Sequence, residues 1–141
     1  MVRAASSLTL AQAQQMIQGA IAYAEQHGYL MSIAVVDAAG TLVAAARMDG
    51  ARFLTPETAR AKAYAAAAYG RSGRELGEAY RDYPPFWASL PSLGRPLLPS
   101  QGGVPIVVDD VILGAIGVGG GTSQQDEDTA RAGLAAAGFP A

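Results

Sequence analysis

Two side chains of this sequence are chemically singular: His27, its one histidine, and Lys62, its one lysine beside nine arginines. A single imidazole excludes the paired-histidine metal motifs, and the chain shows no Ser/His/Asp set. The absence of cysteine removes disulfides, thiolate nucleophiles, cysteine-ligated zinc and iron–sulfur clusters. Lysine, unlike arginine, gives up its proton readily when buried, so Lys62 has two chemical readings, anchor for a ligand carboxylate or base, beside that of a solvated helix residue. A further constellation suits proton transfer on a small oxo- or hydroxy-acid without a cofactor, as in a lyase or isomerase. Arg47 or Lys62 would clamp the carboxylate, Asp49 or Tyr83 would move a proton, and the amides of Gly102 and Gly103 would stabilise an oxyanion.

The most prominent glycine cluster, Gly119 to Gly121, invites a phosphate reading, because it sits between an apolar run and a helical pattern. The spacing does not support it. Gly117-Val-Gly119-Gly120-Gly121-Thr122 is not G-x-G-x-x-G, and no Lys-Ser/Thr pair follows. Asp126, Glu127 and Asp128, taken as the first turn of the next helix, would repel a phosphate there. Close backbone packing is the remaining reading of this turn.

The elements that position these residues follow from periodicity and caps. Thr9 with Gln12 forms a capping box, and Leu10, Ala13, Ile17, Ala20, Ile21 and Ala24 recur at helical spacing, up to a C-terminal glycine at Gly28. His27 thus falls in the last turn, where it reads first as a surface residue. Residues 31–36 suit a strand covered on both faces. Asp37-Ala-Ala-Gly40 then turns the chain into a partner strand over Thr41 to Arg47, so Asp37 reads as a turn former rather than a catalytic acid. Thr55 as N-cap, Pro56 and Glu57 open an alanine-rich helix, whose small side chains suit close approach to a sheet or to a second subunit. Ser72 with Glu75 caps a third helix, which runs to about Arg81.

Residues 82–103 hold five of the eight prolines, together with Tyr83, Phe86 and the sole tryptophan, Trp87. They read as a long loop, either the wall or lid of an apolar pocket, with Trp87 against its ligand, or a subunit contact. Val104 to Val108 and Val111 to Val118 make a second hairpin about Asp109 and Asp110, its second strand buried on both faces. A helix then starts at Ser123, with Asp126 completing a capping box. Hairpins alternating with helices predict an α+β domain, an antiparallel sheet of about five strands with helices packed on it.

Several short motifs in order carry a family resemblance. Gly102-Gly-Val-Pro105, the run from Gly114 to Val118 and Gln125-Asp-Glu127 resemble the C-terminal signature of the GlcG/HbpS-like proteins, or haem-degrading domain. The segments 32–43, 47–51 and Lys62-Ala63 are similar to that family's N-terminal half. The likeness spans Leu8 to Leu134 and extends to the C-terminal domain of PduO-type proteins. It implies a profilin-like sandwich, a homo-oligomer and haem or a related tetrapyrrole as ligand. His27, a tyrosine or a methionine would then offer the axial ligand, and arginines would meet the propionates. The family usually has Gly-Val-Ser-Gly where this chain has Gly117-Val-Gly119-Gly120, so the serine hydroxyl is missing here.

Composition bounds the rest. With 141 residues, half of them hydrophobic, the chain is expected to fold as one domain over 1–141. A net charge of −2 with no basic block argues against nucleic acid as a partner. No apolar run approaches membrane length, and residues 1–7 lack the apolar core of a signal peptide, so no membrane association and a cytoplasmic location are expected.

Overall fold

The computed structural model describes residues 8–141; the signal-peptide reading of residues 1–7 lies outside them. Helix α1 (Leu10–His27) has the expected capping box between Thr9 and Gln12, and Gly28 closes it in the left-handed conformation at φ 73°. Strands β1 (Ser32–Asp37) and β2 (Leu42–Arg47) form the first hairpin. Its turn is held by Asp37 Oδ1, which accepts from the amides of Ala39 and Thr41 at 3.0 Å. Helix α2 (Thr55–Tyr69) and helix α3 (Gly73–Asp82) follow. Then come a short helix α4 (Pro84–Ser89), a 3-10 turn (Leu90–Leu93) and a second hairpin of β3 (Gly103–Val108) and β4 (Val111–Gly119), and the chain ends with helix α5 (Ser123–Ala136).

The sheet is antiparallel throughout, in the order β2-β1-β4-β3. It therefore has four strands where about five were expected, and the α+β class stands. β1 and β4 are central; β1 is buried on both faces, and so is β4 from Gly114 onward. One face carries Ile33, Val35, Ile116 and Val118 into the main core with Ala13, Met16, Ala20, Ala130 and Leu134 of α1 and α5.

The other face is built for α2. Val36 and Ala115 pack on Ala63, Ala66 and Ala67. At Gly103 and Gly117 a Cβ would collide with the α2 backbone, at the carbonyl oxygens of Lys62 and Ala59 respectively. Glycines on the sheet and alanines on the helix thus let backbone lie on backbone. The alanine-rich surface is consumed within the chain, leaving Ala68 as its one exposed alanine.

Three local expectations differ from the structure. Residues 82–103 are not a plain loop, because Pro84 and Pro85 occupy the first turn of α4, where a missing N–H costs nothing. Thr55 is the first residue of α2 and not its cap; its hydroxyl donates to the Arg52 carbonyl at 2.8 Å. The cap of α5 is Thr122, boxed with Gln125, and not Ser123 with Asp126. This one-residue shift turns Asp126 inward. No described helix is long and apolar enough to cross a membrane.

Candidate functional site

Lys62 lies on the sheet-facing side of α2 and reaches the end of β4. Its ammonium donates to the Val118 carbonyl at 3.0 Å and to Asp126 Oδ2 at 2.8 Å. The two side chains are 9% and 4% exposed, which makes this a buried ion pair. Asp126 Oδ1 accepts the Gly121 amide at 2.9 Å, so the same carboxylate also fixes the turn between β4 and α5. Gly102, at φ 123°, packs directly on the pair: a Cβ there would stand 3.0 Å from Asp126 Cβ and 3.1 Å from Lys62 Cδ. Of the residues singled out in the sequence, Lys62, Gly102 and Gly103 are therefore brought together, and Asp126 is the partner that sequence reasoning missed. The available signal was the Thr122/Gln125 box, which competes with Ser123/Asp126 and, once chosen, frees the aspartate.

Glu127, next in sequence, is buried as well. Its Oε1 accepts from Gln101 at 3.0 Å and from Arg74 at 3.3 Å, and its Oε2 from Arg131 at 2.9 Å. Burial pushes its carboxyl up, but the bonds from Arg131 and Gln101 and the charges of Arg131 and Arg74 outweigh this and hold it below the ordinary carboxylate value. Asp126 and Glu127 are thus internally neutralised by α2, α3 and α5 rather than presented to a ligand.

Two hollows meet at the Gly120-Gly121 turn. The larger, of about 510 Å³, is lined by His27, Tyr29, Leu30, Arg52 and the two glycines, among others. The His27 ring stacks on Tyr23, with centroids 4.1 Å apart, and its Nδ1 lies 2.8 Å from the Tyr23 carbonyl oxygen. A carbonyl can only accept, so Nδ1 carries a proton, and in the neutral ring the free lone pair is then on Nε2. Burial, then the Asp128 carboxylate and Tyr29, raise the Tyr23 phenol above its ordinary value. The smaller hollow, of about 280 Å³, is lined by Arg52, Leu54, Thr58, Lys62, Leu98 and Asp126, among others, and shares Arg52 and both glycines with the first.

The remaining candidates lie elsewhere. Arg47 and Asp49 line a third hollow with Ile21, Glu25, Leu30 and Met48, and the Arg47 guanidinium donates to the Ala51 carbonyl at 2.9 Å. Tyr83 caps α3 in the open, 63% exposed. Trp87 packs inward beside Tyr69, Leu76 and Leu90. Of the proline-rich segment, Leu98 is what reaches the Lys62 hollow, tied down by its amide donating to the Ala61 carbonyl at 3.1 Å.

Comparison with known proteins agrees with this architecture. The family described as "Haem degrading protein HbpS-like" matches residues 8–135. The chain belongs to the HbpS-like family. Protein GlcG of Escherichia coli K12 is 36% identical over 110 residues, covering 74% of this chain and 78% of that protein. A double mutant of HbpS from Streptomyces reticuli superposes with a TM-score of 0.85 at 30% identity, over 95% of this chain and 89% of that one. The PduOC:haem complex superposes with the same TM-score at 26% identity, over 95% and 97%. The chain spans 39% of the length of the corrinoid adenosyltransferase PduO of Citrobacter freundii, to which it is 29% identical over 132 residues. In this HbpS-like domain the missing serine has a structural counterpart. A Cβ at Gly119 would stand 2.5 Å from Thr58 Oγ1, so Thr58 fills the space that a serine at that position would need.

Proposed function

We propose that this HbpS-like domain binds haem or a related tetrapyrrole in the hollow lined by His27. The observation that carries the proposal is the state of the imidazole. Its Nδ1 is held by the Tyr23 carbonyl and its ring by the Tyr23 face, which leaves Nε2 as the nitrogen that could serve a metal. The hollow lies in the size range of about 300–1,000 Å³ usual for small-molecule sites. Arg52, exposed at its edge and without an ion pair among the described residues, is suited to a propionate. The family description and the haem complex of PduOC support the same ligand. Bound haem would supply the iron chemistry, and the residues here would hold and orient it.

Self-association belongs to the proposal. Phe53, 85% exposed, follows Arg52 in the chain, and with the half-exposed Leu54 of the smaller hollow and Leu30 of the larger it offers apolar surface to a second copy. Light scattering should then give a mass well above the 14.4 kDa of one chain.

Titrating haem into the apoprotein tests the ligand. Uptake should saturate at a fixed haem-to-chain ratio, and His27→Ala should change the visible spectrum. A saturating spectrum unaltered in His27→Ala would move the ligand to a tyrosine or methionine. Uptake that never saturates, and is the same in both proteins, would sink the haem reading.

A further inference from the structure

We propose that the smaller hollow, between α2 and the β4–α5 turn, is a separate site for a small monocarboxylate with an apolar tail. The floor is what points to a ligand. A lysine ammonium has three hydrogens to donate. Two are taken, by Val118 O and Asp126 Oδ2, and no described protein atom accepts the third. The side chain is 91% shielded, and the hollow is the open space it lines, so the third hydrogen calls for an oxygen placed there.

The surrounding groups define that oxygen's carrier. The Thr58 hydroxyl donates to the Thr55 carbonyl, and the Thr55 hydroxyl to the Arg52 carbonyl, so neither has a hydrogen left to donate to a ligand. Asp126 cancels the charge of Lys62, which leaves the exposed guanidinium of Arg52 as the net charge lining the space. The site thus offers one N–H without a protein acceptor and one planar cation, a pairing that suits the two oxygens of a carboxylate. Leu54 and Leu98 supply apolar wall for a short tail. A space of about 280 Å³ equals roughly nine waters at ~30 Å³ each, enough for a short-chain acid and too small for a macrocycle.

Butyrate and butylammonium, nearly equal in shape and opposite in charge, make the test, with sodium chloride at matched ionic strength as control. Each is titrated into the haem-free protein while backbone amide shifts are followed by NMR. The amides of Thr58, Lys62 and Asp126, which line this hollow and not the His27 one, should shift saturably with butyrate alone. Arg52→Gln, a change at an exposed side chain, should weaken butyrate by about tenfold or more, since a bond to a charged group is lost. Equal shifts with butyrate and butylammonium, shifts that never saturate or match chloride, saturation confined to Tyr29 and Leu30, or undiminished affinity in Arg52→Gln would each overturn the proposal. None of these outcomes depends on whether haem binds at His27.

Discussion

Replacing Lys62 by methionine keeps most of the volume of the lysine stem and removes only the ammonium, so it isolates the ion pair from the packing around it. Asp126 would be left 96% shielded, with the Gly121 amide as its remaining donor. At 2.8 Å and an effective dielectric of 20, the attraction in the pair is about 6 kcal/mol, most of it offset by desolvation of both groups. Removing one partner forfeits the attraction and leaves the other's desolvation uncompensated. Such losses are about 3–5 kcal/mol. For a chain of 141 residues that corresponds to a fall in Tm of about 10–20 °C. Adding Asp126→Asn removes the stranded charge while keeping an acceptor for Gly121, and the double variant should recover more than half of the loss. Thermal melts by circular dichroism, backed by urea midpoints at unchanged m-value, measure both quantities. If Lys62→Met melts within about 3 °C of the wild type, or if the double variant is no better than the single, the pair is not the internal clamp described here.

Other substitutions probe the remaining supports. Because the Glu127 carboxyl is held below its ordinary value in the fold, its contribution is complete above the unfolded value of 4.5 and fades as pH falls through the folded one. The Tm advantage of wild type over Glu127→Gln should therefore be flat from pH 7 to about 5 and shrink below it; an advantage that does not shrink at all between pH 5 and pH 3 would contradict this. Gly117→Ala drives a methyl into the α2 backbone at Ala59 and Ala63 and should cost about 1–3 kcal/mol or more by urea denaturation. Gly77→Ala, in the middle of α3 with only Pro99 O near at 3.7 Å, should instead stabilise by about 0.5–1 kcal/mol. Opposite signs for these two glycines test whether close backbone packing, rather than glycine itself, governs the sheet face under α2.

What the sequence determined by itself is local. The box of Thr9 and Gln12 and the left-handed Gly28 bound α1 because caps act within four residues. The Asp37 and Asp109-Asp110 turns fix both hairpins, since a turn's hydrogen bonds and dihedrals involve only its own residues, and Asp109 and Asp110 both take positive φ. The α+β class follows from those elements. Tertiary structure decided the rest. Thr122 and Ser123 are equally legitimate caps one residue apart, and what separates them is burial: with Thr122 chosen, Asp126 meets Lys62, 64 residues away. No periodicity encodes that meeting, because charge complementarity has no sequence range. The alanines of α2 announce close packing but not against what, until Gly103 and Gly117 come beneath them. His27 and Arg52 likewise belong to separate segments, and they share one hollow because the sheet seats the end of α1, the segment before α2 and the turn into α5 side by side.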